Sequence, residues 1–222
     1  MNAPLISVLM PTRGHVLVML ESIQSLRSTC SDPSSYELLV RCDFDDPETQ
    51  AALPDNVIAL CGPRVGYRGL HTMYNELAAR ACGEWLFVWN SDAVMLTRGW
   101  DQRVQQCSDA GAKRLHVQST CDPPPPYGSS FPILRRSFYE VLGHLSAWSH
   151  VDTYIERVLE GLWPVVSTGI YAEHRFQALI EAGDVATLEA REGRPDTSGH
   201  GYSHEVQSQI AIDRAKLKLE IT

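Results

Sequence analysis

"GEWLFVWNSDAVM", residues 83–95, is the stretch that decides the fold. The run from Glu84 to Trp89 is short, apolar and aromatic, with no Pro or Gly inside it, and reads as a buried strand; it stops abruptly at Asn90, Ser91 and Asp92. A buried strand ending on a carboxylate has two readings. Either Asp92 caps a turn or helix beyond it, or it stands at the carboxyl edge of a sheet and holds something charged.

The pattern around this stretch favours the second reading. "LISVLMPTRG" (5–14) reads as a strand stopped by Pro11, and Val16, Leu20, Ile23 and Leu26 come next at helical spacing. Leu38 to Cys42 form a second strand, with Asp43, Asp45 and Asp46 spilling out at its end, and "NVIAL" (56–60) is a third. Leu70, Met73, Tyr74, Leu77, Ala78 and Ala81 recur as a helical apolar face, ended by Gly83 just before the opening strand. The alternation of strand and helix predicts an α/β fold: a mostly parallel central sheet, Rossmann-like, with helices on both faces and a single domain. In such sheets ligands bind beyond the carboxyl ends of the strands, and three strand ends carry polar clusters: Thr12 and Arg13, Asp43 to Asp46, and Asn90 to Asp92. There is no GxGxxG and no GxxxxGK[ST], so phosphate would have to be neutralised by another device, for which a carboxylate-held metal is the obvious candidate.

Downstream the pattern loosens. "CDPPPPYGSSFP" (121–132) reads as a rigid polyproline loop, "ILRRSFYEVLGHL" and "VDTYIERVLEGL" as helices, and "WPVVSTGIYAEHRF" as a strand with a turn after it. Residues 183–202 read as a polar surface loop and 203–221 as a terminal helix.

The bulk numbers bound the function. The chain has 222 residues, 44% hydrophobic and 21% charged, enough for one domain with a substantial core. No apolar stretch approaches the ~20 residues that span a bilayer, and no basic leader precedes the first apolar run, so the expectation is a soluble, cytoplasmic protein. Six cysteines without a CxxC pair fit reduced thiols better than a zinc ribbon or disulfide scaffold. With 19 Lys+Arg against 27 Asp+Glu, the net charge of -8 gives no general attraction to nucleic acid or anionic membrane.

Four segments together resemble the GT-A glycosyltransferases, nearest to the broad family 2 type. "ISVLMPTRG" resembles the family's opening strand and turn, and "ELLVRCDFDDPET" its second strand ending in Asp-Asp. "RGLHTMYNELAARACGEWLFVWNSDA" resembles the long segment that ends in the DxD motif, and "FPILRRSFYEVLGHLSAWSHVDTYIERVLEGLWPV" the acceptor-side stretch. The likeness covers roughly residues 5 to 175. It implies a GT-A domain over 1–182, with a nucleotide-binding part to about 95 and an acceptor-side part from about 96, and a polar loop and C-terminal helix (183–222) packed on it.

The resemblance also implies roles. Asn90-Ser91-Asp92 stands where the family has DxD, so Asp92 would coordinate a divalent cation, Mn2+ or Mg2+, that bridges the donor's phosphates. Asn90 in place of the first acid is a departure, which leaves either a weaker metal site or an Asn90 that contacts the donor's ribose instead. His174 matches a late histidine that completes the metal shell. Asp43 and Asp45 fall at the nucleobase, Pro11, Thr12 and Arg13 line the nucleotide pocket, Arg68 approaches the diphosphate, and Asn75 occupies the family's asparagine position.

For the base, alignment through Gly161 points to His150, with Asp152 as a second acid, and alignment through Arg157 points to Asp152. Asp152 is the expectation, His150 the alternative and Glu156 an exposed helix residue; the competing plain reading makes Asp152 the N-cap of a helix starting at Thr153. Trp148 is the best candidate for stacking on a ring. The activity implied is metal-dependent, inverting transfer of a hexosyl or pentosyl group from a nucleotide-diphosphate donor, a UDP-sugar first, to a hydroxyl. The acceptor stays open between a soluble glycan or small molecule and a hydroxymethylated DNA base of a phage, for which "ILRRSFY" would be the place to seek phosphate contacts. The alternatives are a non-catalytic GT-A-like nucleotide- or glycan-binding module and a nucleotidyltransferase.

Overall fold

The computed structural model describes residues 3–120, 122, 128–184, 187–188 and 203–220. Most of the polyproline stretch and most of the 183–202 loop lie outside the described residues, and with them the sequence readings made there. Among the described residues eight strands form one sheet in the order β3-β2-β1-β4-β7-β6-β8-β5. They are β1 (Ile6–Pro11), β2 (Tyr36–Asp43), β3 (Ile58–Gly62), β4 (Trp85–Val88), β5 (Ala93–Met95), β6 (Arg114–Ser119), β7 (Ile133–Arg135) and β8 (Val166–His174). Taking the pairings from strand to strand, six run the same way and only β5 and β7 are reversed.

The uninterrupted apolar run of β4 is explained by cover on both faces. Its alternate residues Trp85 and Phe87, with Trp89 beyond, enter one core beside Ile6, Val8 and Met10 of β1. Helices α1 (Val16–Thr29) and α4 (Trp100–Asp109) close that core through Met19, Ile23, Leu26, Trp100 and Val104. Leu86 and Val88 enter the other, closed by α3 (Leu70–Arg80), α5 (Ser137–Leu142), α6 (Val151–Leu159) and the terminal helix α8 (His204–Leu219). Two further short helices among the described residues are α2 (Pro47–Ala52), capped by Asp46, and α7 (Phe176–Glu181). Gly83 sets the packing of α3 on the sheet, because a Cβ there would lie 2.6 Å from the Ser7 amide nitrogen. Among the described residues no helix is long and apolar enough to cross a membrane.

The structure corrects two sequence readings. "ILRRSFYEVLGHL" does not begin as a helix: Ile133, Leu134 and Arg135 pair antiparallel with β4, and Ile133 and Leu134 point into opposite cores. Three residues are too few to show a period of two. The third strand starts at Ile58, two residues later than expected, because Val57 closes a turn onto the Pro54 carbonyl.

Helix α8 is fastened by one buried carboxylate. Asp213 accepts from the Tyr154 hydroxyl and from Gln209, and its Oδ2 lies 2.9 Å from His144 Nε2. Burial pushes the His144 imidazole below its usual pKa in spite of the neighbouring Asp213, and burial likewise lowers His71 and His116. The folded chain therefore favours the neutral rings, whereas the unfolded chain takes up protons near pH 6.5. The stability contributed by this difference is complete above about pH 6.5 and is lost as pH falls through the lowered folded values. The urea midpoint should be flat from about pH 7 to 8 and decline below about 6.5, and a midpoint that rose on mild acidification would contradict this assignment.

Candidate active site

A cleft opens at the carboxyl ends of the parallel strands. It is lined by Pro11, Thr12 and Arg13 after β1, Asp43 at the end of β2, Asn90, Ser91 and Asp92 after β4, His174 at the end of β8, and Asp152 in the first turn of α6. Strand β5 begins directly after Asp92, so the carboxylate has no helix to cap. The register explains its partner: β5 pairs antiparallel with β8, Ala93 opposite His174, and the Arg175 amide donates to the Asp92 carbonyl (3.1 Å). His174 Nε2 thereby sits 3.6 Å from Asp92 Oδ1.

Asn90 completes this corner. Its Oδ1 accepts from the buried Tyr74 hydroxyl (2.8 Å), and its Nδ2 lies 3.3 Å from His174 Nε2. An amide nitrogen has no lone pair to offer, so the second contact is attractive only when Nε2 is the acceptor. Nε2 and Asp92 Oδ1 are then two acceptors 3.6 Å apart, and a cation between them would satisfy both. The 3.6 Å spacing falls within the span of about 3 to 4 Å kept by two donors that each lie about 2.1 Å from one ion. Among the described residues no group of three or more His, Cys, Asp or Glu side chains could hold a metal, so a cation here would draw further oxygens from ligand and water.

The nucleotide wall is more elaborate than the sequence suggested. Asp43 is held from two sides: Arg13 donates to Oδ2 (3.0 Å), and Arg41, fully buried on β2, pairs with Oδ1. Arg41 also pairs with Glu76 and donates to the Pro63 carbonyl. Arg13 further bonds Asp45 (2.6 Å), which holds that exposed carboxyl below its usual range. Burial disfavours ionisation of Asp46, but donation from Gly14 and Thr49 outweighs it and keeps its pKa low. Among the described residues Thr12 Oγ1 is buried with no protein partner, as suits a hydroxyl that bonds a ligand.

His15 stands in the left-handed region (φ 35°) ahead of α1, and its Nδ1 lies 2.9 Å from Asp184 Oδ1. That contact ties the segment after α7, including the cleft-lining Thr187, to the turn after β1. Burial raises the Tyr74 hydroxyl well above its ordinary pKa, reinforced by the charges of Asp152 and Asp92, so it remains a hydrogen-bond donor.

Four expected residues stand outside the lining. Asp45 reaches the cleft only through Arg13. Arg68 is exposed on the 3-10 turn Tyr67–Gly69. Asn75 fastens the loop that leads to α6, accepting from the Leu145 and Ser146 amides and donating to the Ser146 carbonyl. His150 is the residue before α6 and stacks on Trp148 (4.2 Å, 25°). Because α6 begins at Val151, Asp152 lies inside its first turn and is not the N-cap. Glu156 is half-buried against Arg114 instead of exposed. Arg135 donates to the Ala112 and Ser108 carbonyls and Arg136 to the Gly83 carbonyl, near the amino end of β4 and outside the lining of the cleft.

Arg41, His15, Tyr74 and Thr187 escape the sequence reading. Only Arg41 leaves a signal, as the charge two residues before Asp43 in an apolar run.

No protein-family model matches the chain, and no curated protein matches it in sequence. Solved structures do match in fold. The mannosyltransferase PcManGT from Pyrobaculum calidifontis, in complex with GDP-Man and Mn2+, has a TM-score of 0.61 at 12% identity over 98% of this chain and 86% of its own. S. aureus TarS 1-349 with UDP-GlcNAc gives 0.61 at 14% identity over 94% and 66%. Rv0371c from Mycobacterium tuberculosis H37Rv, complexed with manganese, gives 0.53 at 14% over 78% and 90%. The fold is thus that of the GT-A glycosyltransferases, whose motifs the sequence resembles.

If Asn75 acts by holding residues 145–146, then Asn75→Ala should lower stability by about 1–3 kcal/mol through its lost hydrogen bonds. Urea unfolding reads this directly, and an unchanged midpoint would remove the structural role.

Proposed function

We propose that the chain is a metal-dependent glycosyltransferase that moves a sugar from a nucleotide-diphosphate donor, a UDP-sugar first, to a hydroxyl acceptor with inversion. The observation that carries this reading is the meeting of Asp92, His174 and Asp152 in one cleft with Thr12 and Asp43. Residues 1–95 supply its nucleotide side and 96–182 its acceptor side. The GDP-Man, UDP-GlcNAc and Mn2+ in the similar structures support the donor class and the cation.

In this reading Asp92 and His174 would hold a divalent cation, which would supply positive charge to a diphosphate leaving group. Thr12 and Arg13 contact the nucleotide, with Pro11 beneath them, and Asp43, fixed by Arg13 and Arg41, presents a set carboxylate to the nucleobase. Leu70, Met73 and Val151 supply apolar wall that limits water. Asp152 takes the proton from the acceptor hydroxyl, whose oxygen attacks the anomeric carbon opposite the leaving group, so configuration inverts. His150, stacked on Trp148, is the alternative base. The acceptor is proposed to be a soluble glycan or small molecule and the setting cytoplasmic; hexosyl and pentosyl donors both fit.

The test is release of nucleoside diphosphate from UDP- and GDP-sugars with Mn2+. Asp152→Asn should keep donor affinity while lowering turnover by ~10²-fold, since it retains shape and loses the proton acceptor. Wild-type turnover in that variant, or a retained anomer in the product, would overturn the assignment. A second reading, a nucleotide-binding module without turnover, is favoured by Asn90 in place of a carboxylate, and it predicts donor binding with no diphosphate released by the wild-type chain.

A further inference from the structure

We infer that Asn90 is a positioning residue that makes cation binding conditional on the nucleotide. The inference rests on the cleft being a nucleotide-sugar site, and it concerns the one position where a neutral amide stands beside both candidate metal ligands.

The orientation of the amide is set from behind. Tyr74 is fully buried on α3, and its hydroxyl reaches Asn90 Oδ1 at 2.8 Å and the Trp89 carbonyl at 3.0 Å. As placed, the hydroxyl is the donor to this pair of acceptors and the amide turns Oδ1 toward it. Nδ2 is left aimed at His174 Nε2, 3.3 Å away. An unprotonated Nε2 has one lone pair, so this N–H and a cation shared with Asp92 Oδ1, 3.6 Å away, would compete for it.

Charge and valence then have two consequences. The protein alone offers a divalent cation one carboxylate and one contested lone pair, a poor match for an ion that prefers several oxygen ligands. A diphosphate adds the missing negative oxygens, and the N–H displaced from Nε2 gains an anionic acceptor nearby. Cation and nucleotide therefore strengthen each other's binding, and by linkage the factor is the same in both directions. A neutral amide also repels the diphosphate less than a carboxylate would, so the nucleotide should bind measurably without metal.

The experiment titrates the full chain with Mn2+ by electron paramagnetic resonance, with and without saturating UDP, using Asp92→Ala to define background binding. Wild-type affinity for Mn2+ should rise about tenfold or more when UDP is present. Asn90→Asp keeps the acceptor for Tyr74 and replaces the N–H donor with a second anionic oxygen. It should bind Mn2+ alone about tenfold or more tightly than wild type and bind UDP in chelator more weakly by calorimetry. Asn90→Ala removes the donor without adding charge and should raise affinity for Mn2+ less than Asn90→Asp does. Equal wild-type affinity with and without UDP, an unchanged Asn90→Asp, or the reverse order of the two variants would overturn the inference while leaving the transferase reading intact. Failure of both UDP and GDP to bind, with or without Mn2+, would overturn both.

Discussion

Strand β4 must be covered on both faces, and the arrangement of the site is a result of that constraint. Trp85, Phe87 and Trp89 go to one core and Leu86 and Val88 to the other, so the strand cannot carry a polar residue until it leaves the sheet. It leaves at Asn90, and the neighbouring β1 leaves on the same edge at Thr12. The chain then turns back as β5 and pairs with β8, which brings His174 to the same corner as Asp92. Polar groups gather there because the backbone beyond a buried sheet is the first place where they can be satisfied by a ligand or by each other.

The cleft balances charge unevenly. At the end of β2 Asp43 is met by Arg13 and Arg41, so it presents a fixed carboxylate with little net charge. Elsewhere in the cleft Asp92 lies beside His174, and Asp152 lines the same cleft. If a diphosphate lies between Asp92 and Asp152, as proposed, a cation there would offset their repulsion of it.

Much of this is legible in the sequence, and the remainder is hidden for identifiable reasons. The both-face burial of β4 is visible as an unbroken apolar run, α3 as a 3.6-residue period, and the site as polar residues at three strand ends. Strands β5 and β7 have three residues each and exist only through their pairing partners, so no local pattern announces them. The cap and N1 proline of α2, Asp46-Pro47, are present in the sequence but read there only as part of an acidic strand end. The contacts of His15 with Asp184 and of Asn75 with residues 145 and 146 join distant parts of the chain, and spacing carries no information about them. Asn90 looks like a defect in an acidic motif until Tyr74 and His174 are in place beside it.

The central claim is that Asp92, His174 and Asp152 frame one reaction centre on a nucleotide-sugar. Anomalous diffraction at the manganese edge, from crystals soaked with Mn2+ and a UDP-sugar, tests it most directly. The account predicts a single strong peak within about 2.2 Å of Asp92 and His174 Nε2, with the diphosphate on its far side and the anomeric carbon facing Asp152. A peak on other residues, or a diphosphate bound away from Asp92, would contradict it.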